Sequence, residues 1–355
     1  MKKISYGQMI MILFLCRVFK IMSYNPFSDA NGATIMIAMA ISTLIQAVMI
    51  IPFVWIYIKH PGRSVCELAF NHSKAFGYAV SILYTLYFIM ISLRDIRYFA
   101  FFMSEAFPSV QSGIFIVISI AIVAGYGALL GIEALGRSST LVFVGFVIMI
   151  ISMILALEGH INYLNLNLVA DDTTKKIIVI AYKGIGLNTE LSAIAILLPK
   201  IDKSFAKGAY IFLGLKLIVI DLIVFLYTTI LGNYVKSIAL PFFTVGAYSK
   251  TSFFERFDAL YMVEWTFCAV VSIAVFISLA SLCVENIFAR YKTQYIKLAV
   301  TVGTVAITVP FALHLNFADN FYDEHLATPI LILMVTIIPL FIAFLSRKSI
   351  IKKPG

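Results

Sequence analysis

The chain has 355 residues, 61% of them hydrophobic and only 13% charged. A soluble domain carries about 25% charged residues, so that class is excluded, and apolar runs long enough for about 30 Å of hydrocarbon define a polytopic membrane protein. The formal charge of +9 is gathered in connections, as in membrane proteins generally, and no basic run interleaved with aromatics offers a surface for nucleic acid.

Ten spans are predicted, all α-helical. Span one is Ile4–Met22. Its start, MKKISYGQMIMILFLCRVFK, mimics a signal peptide, but Arg17 and Lys20 interrupt the apolar run and no small-x-small cleavage site follows, so the segment is expected to stay as a span. Spans two to five are Ala33–Ile58, Phe76–Phe102, Gly113–Gly131 and Ser139–Leu157. Pro52 is expected to kink the second. Arg94, Asp95 and Arg97 near the outer end of the third are expected to snorkel to the interface or to line a basic outer vestibule, and Lys20 and Lys183 likewise. Tyr84 and Tyr87, deeper in span three, are expected as packing residues or as the wall of a pocket.

A polar stretch follows, then spans six to ten: Ile177–Leu198, Ala209–Leu231, Ala259–Val284, Ile296–Leu313 and Ala327–Leu345. Pro199 is expected to end the sixth. Lys216 and Asp221 in span seven are five residues apart, so each is expected to pair with another helix. Glu264 and Trp265 are expected to mark an interfacial end of span eight. Lysine and arginine fall sixteen to one side of this arrangement and five (Lys175, Lys176, Lys236, Lys250, Arg256) to the other, and the connection Asn316–His325 is acidic. Both termini are therefore expected in the cytoplasm. The longest outer connections, Glu158–Lys176 and Gly232–Phe257, are too short for a separate domain, so residues 1–355 are expected as one membrane domain.

Cys16, Cys268 and Cys283 fall in spans and Cys66 in an expected cytoplasmic connection, so no disulfide is expected. The five histidines have no metal-ligand spacing. No nucleophile–base pair or phosphate loop appears, and neither an enzyme nor a cofactor is expected.

Five spans on each side of the polar stretch near Asp171 would make the second half enter from the opposite face, the condition for an inverted repeat (about 4–157 and 177–345). In such folds the first helix of each half is often broken, and the breaks meet at a ligand site. Span six carries KGIGLNTE at 183–190, and span one carries Arg17 and Lys20. An arginine at the centre of a span costs about 2.5–3.5 kcal/mol, which calls for a partner or a cavity. Unwound backbone at membrane depth needs the same cover. The candidate ligand site is therefore Cys16, Arg17, Tyr87, Gly184, Gly186, Leu187, Asn188 and Glu190. Close helix packing at the glycines and a plain Arg17–Glu190 lock are the structural alternatives. No glycine or proline lies between Gln8 and Tyr24 to help span one break.

The chain resembles the B subunit of the endospore germinant receptors, the spore germination permeases of the amino acid–polyamine–organocation superfamily. The resemblance runs in order through ISYGQMIMILFLCRVFKIMSYNP, KHPGRSVCELA, GIEALGRSSTL, ELSAIAILLPKID and FFERFDALYMVEW, and covers essentially the full length. It implies a LeuT-like fold of two inverted five-helix repeats. It also implies a small-molecule germinant, most often an amino acid, between spans one, three, six and eight. The implied partners are a larger A-type membrane subunit and a C-type lipoprotein, in the inner membrane of a dormant spore. By matching position, Glu190 is the family's span-six glutamate, with Gly184 and Gly186 its flexible stretch. Many members have a small residue where this chain has Leu15-Cys16-Arg17. The residues alone also fit a secondary transporter of amino acids or organocations coupled to protons or sodium, with Glu190, Asp221 or Glu264 as proton carrier, or a scaffold that assembles partners.

Overall fold

The structure is a computed structural model, describing residues 3–25, 27, 30–107, 113–157, 159–166, 174–202, 204–249, 257–288, 291–313 and 324–351. Lys250 and Arg256 of the expected outer charges, and Asp319 and Asp323 of the acidic connection, lie outside the described residues. Among the described residues the chain is all-helical, with no β-strand. Eight helical stretches of the described residues are long and apolar enough to cross a membrane.

Helix α1 (Tyr6–Ser23) starts with a reciprocal cap: Ser5 Oγ accepts from the Gln8 amide at 3.1 Å, and Gln8 Oε1 accepts from the Ser5 amide at 3.0 Å. Such a box satisfies two donors that a helix start would otherwise leave open. The helix then runs unbroken to Ser23. The break expected in span one is absent, for a local reason: nothing between Gln8 and Tyr24 lacks a Cβ or a backbone donor, so the apolar helix has no cause to unwind.

The second span is α2 (Gly32–Met49) followed by α3 (Ile51–Lys59), joined at Ile50 with Pro52 in the first turn of α3. The kink expected at Pro52 is therefore present. KHPGRSVCELA is not a connection throughout. It turns at Gly62 (φ +77°), then forms α4 (Val65–His72), whose start is boxed by Ser64 and Glu67. Cys66, expected in a loop, is buried in this helix.

Helix α5 (Lys74–Ala106) is long and packs on α12 (Phe257–Ile287). Helix α6 (Gly113–Leu130) meets α7 (Ile132–Ala156) through Gly131 alone. The φ of +86° there is a conformation that glycine adopts readily. The seven-residue connection expected before Ser139 is thus the first two turns of α7, where Arg137 donates to Glu133 one turn earlier.

Helix α8 (Thr174–Gly186) begins the sixth span. A 3₁₀ stretch (Thr189–Ala193), the single turn α9 (Ile194–Leu197) and a further 3₁₀ turn with Pro199 (Leu198–Lys200) complete it. Its end is tied to the start of the chain: Ile4 N donates to Lys200 O at 2.8 Å, and Asp202 N to Ile4 O at 3.0 Å. Then come α10 (Phe205–Leu231), the short α11 (Pro241–Tyr248), α12, α13 (Thr293–Leu313) and α14 (Glu324–Ile332). A π turn (Leu333–Ile337) joins α14 to α15 (Ile338–Ile351).

The centre of the molecule is α1, the broken sixth span and α12, which are more fully buried than the other spans. Trp265, expected at an interface, is wholly buried in α12. It stacks on Phe102 at 3.9 Å and Phe99 at 4.8 Å between ring centroids, and donates from Nε1 to Ser23 Oγ at 2.8 Å. Tyr261 OH donates to Met22 O at 2.6 Å. The indole and phenol each bury an apolar body and spend their polar handle on the end of α1, which fixes that end against α5 and α12. Cys16, Cys66, Cys268 and Cys283 are all free and buried.

Candidate functional site

The sixth span breaks where KGIGLNTE supplies a side chain that competes with the helix. Helix α8 stops at Gly186, leaving its last carbonyls without intrahelical donors. Asn188 Nδ2 donates back to Gly184 O at 2.5 Å. The Leu187 carbonyl is met from another helix, by Arg17 Nη1 at 3.1 Å. Asparagine side chains favour such local bonds over a continued helix. Gly184 and Gly186 themselves lie inside α8 and serve close approach. A Cβ on Gly186 would come within 2.7 Å of Thr328 Oγ1 and 2.8 Å of its backbone nitrogen, and one on Gly184 within 2.6 Å of Met39 Cε.

Charged side chains converge on this break from three other helices. Lys20 Nζ donates to Thr189 Oγ1 at 2.5 Å and lies 3.4 Å from Glu190 Oε2. Arg94 Nη2 donates to the same Thr189 hydroxyl at 2.8 Å. Asp95, beside it, accepts from Ser272 of α12 at 2.6 Å. On the other side Lys216 of α10 donates to Asn188 Oδ1 at 3.0 Å and to Gln46 Oε1 of α2. The expectation that Lys216 pairs with another helix therefore holds. Lys20 and Arg94 do not snorkel; they are buried here. The direct Arg17–Glu190 lock does not form: Arg17 takes a backbone carbonyl, and Lys20, one turn further along α1, takes the carboxylate. Glu190 is fully buried, and its Oε1 has no hydrogen-bond partner among the described residues.

A cleft of about 540 Å³, its open mouth included, lies between the C-terminal half of α1, α2, α5, α10, α11 and the break. Arg17, Lys20 and Leu187 form its polar floor. Tyr24, Tyr98, Tyr227 and Phe242 stand around it. Of the eight residues singled out in the sequence, Arg17 and Leu187 line the cleft. Asn188 and Glu190 stand behind it, holding Lys216 and Lys20. Cys16 is buried in α1. Tyr87 is half-buried against Phe88, at 6.0 Å between centroids, and is not part of the wall. Tyr84, by contrast, bonds Met334 O at 2.5 Å as a packing residue.

Lys20 and Arg94 were expected only as snorkelling or vestibule charges, and Thr189, Gln46 and the tyrosines at 24, 98 and 227 were not singled out. Lys20 lies three residues after Arg17, on the same helical face, and Thr189 precedes Glu190. Those spacings were the available signals. The tyrosines carried none, since membrane tyrosines are common.

Over residues 3–318 the chain matches the spore permease family model, described as spore germination protein. The chain belongs to this spore germination protein family. It is also similar to the putative spore germination protein YfkT of Bacillus subtilis (strain 168), 28% identical over 134 residues, which is 35% of this chain and 36% of the relative. The chain thus spans about a third of the length of that curated relative. With eight membrane-length helices among the described residues and this family, the protein is a multi-pass membrane protein.

Proposed function

We propose that the protein is the germinant-sensing membrane subunit of a spore germination receptor. A small molecule, most simply an amino acid, enters the cleft and sets its carboxylate on Arg17. The observation that carries this reading is the pair of buried cations, Arg17 and Lys20, lining a cleft beside a broken helix. Lys20 has Glu190, but Arg17 meets only the Leu187 carbonyl, and a buried charge without an opposite charge is costly. The break supplies a movable element: a ligand that favours one arrangement of the sixth span against α1 shifts the population of that state. An A-type membrane subunit and a C-type lipoprotein then read the shift, in the spore inner membrane. The architecture is a ten-span one of two inverted repeats with cytoplasmic termini, in which α6 and α13 complete the count.

The test is germination of spores carrying Arg17→Gln. The expected outcome is a response lost or shifted to much higher germinant concentration, with the variant present in the membrane at wild-type level. An unchanged response at unchanged abundance would sink the reading.

A further inference from the structure

The cleft has a charge preference that goes further than a general small-molecule site, and it rests on the reading just given. Among the described residues, the charged side chains on its wall are Arg17 and Lys20, and no carboxylate reaches it. Both cations are buried, with 3% and 5% of their surface exposed. Behind the wall stand Arg94 and Lys216, against the carboxylates of Asp95 and Glu190. Four cationic side chains thus face two acidic ones. Each acid has one oxygen engaged, Glu190 Oε2 with Lys20 at 3.4 Å and Asp95 Oδ2 with Ser272 at 2.6 Å, and neither acid lines the cleft. The Leu187 carbonyl, the backbone acceptor at the break, already takes Arg17 Nη1. Arg17 Nε, buried, has no hydrogen-bond partner among the described residues. The floor therefore offers donors and positive charge. The rest of the wall carries the Asn25 amide and is otherwise aromatic and apolar, with Tyr24, Tyr98, Tyr227 and Phe242 among its side chains.

We infer that this cleft selects a small organic carboxylate with an apolar or aromatic tail, and that an ammonium group on the ligand adds nothing to its binding. The carboxylate completes the Arg17 guanidinium and balances the surplus positive charge, while the tail lies among the tyrosines. Charge-assisted pairs between guanidinium and carboxylate are among the stronger hydrogen bonds. A ligand ammonium would instead approach Arg17 and Lys20 with like charge and find no acid among the described residues of the wall.

The test is thermal unfolding of the purified full chain in one detergent, with ligand triads that share a tail. One triad is phenylalanine, 3-phenylpropanoate and 2-phenylethylamine. A second is leucine, 4-methylpentanoate and 3-methylbutylamine. A ligand that binds the folded state raises the midpoint. In at least one triad the deaminated acid is expected to stabilise at least as well as the amino acid, and the amine not at all. Arg17→Gln is expected to weaken binding of the acid by about tenfold or more. The ligand comparison is made on the wild-type protein, so it stands even where that variant folds poorly. Stabilisation by the amino acid but not by the acid would overturn the inference while leaving the cleft as the binding site. No shift with any of the six would overturn both the inference and the site reading.

Discussion

At the scale of single residues, the ammonium of Lys20 stands 3.4 Å from Glu190 with almost no solvent around either. Removing one member of such a buried pair leaves the other charge uncompensated, at about 3–5 kcal/mol. Glu190→Gln and Lys20→Met are each expected to lower the unfolding midpoint strongly. The double variant is expected to cost less than the sum, by about 0.5–3 kcal/mol. Additive effects, measured by unfolding in a single detergent, would contradict the pairing. Arg17 and Glu190 were legible in the sequence as charges inside apolar runs, because there is no cheap way to leave them there. Their partners were not legible. Which of Arg17 and Lys20 meets Glu190 depends on how α1 is rotated against the broken span, and that rotation is set by packing with α7, α10 and α12. The aromatic wall of the cleft was hidden for the same reason.

At the scale of elements, two crossings hold the sixth span where it breaks. Gly186 lets it touch the backbone at Thr328, where Thr328 Oγ1 also donates to Tyr182 O at 2.8 Å. Gly186→Ala is expected to destabilise by about 1–3 kcal/mol through overpacking. Gly214→Ala in α10, with nothing within 4 Å of the added Cβ, is expected to be neutral or to gain up to about 1 kcal/mol. Equal effects of the two, read from their unfolding midpoints, would show that the Gly186 crossing is not tight. The second crossing is the Lys216 bridge to Gln46 and Asn188. Lys216→Met leaves two buried acceptors without a donor, at about 1–3 kcal/mol each. Faster amide exchange at residues 187–193 is expected in this variant, since the local opening becomes cheaper. Exchange as slow as in the wild type would remove Lys216 as a brace. The break itself was readable from Asn188 and the two glycines, although the unwound part falls after the glycines rather than on them. The helical start of α7 was not readable: a polar, charge-bearing stretch looks like a loop until Gly131 is seen to turn the chain by itself.

At the scale of the whole molecule, hydropathy and charge carried most of what could be read. Long apolar runs leave a chain no choice but to satisfy its backbone internally as helices. Their burial cannot be read that way, because lipid-facing and core-facing helices are equally apolar. That is why the burial of Trp265 between helices could not be read from the sequence. The orientation remains a proposal from loop charge, and it predicts the behaviour of reporter fusions. A green fluorescent protein fused after residue 351 is expected to fluoresce, and alkaline phosphatase fused after residue 160 to be active. The reverse pattern would invert the molecule and turn the cleft towards the cytoplasm.

The measurement that tests the central claim most directly is an electron cryomicroscopy structure of the protein with the best-stabilising carboxylate bound. The expected result is ligand density in the cleft, its carboxylate within hydrogen-bond reach of the Arg17 guanidinium and its tail among Tyr24, Tyr98 and Tyr227. Ligand bound elsewhere, with Arg17 still joined to Leu187 and the cleft empty, would contradict the account.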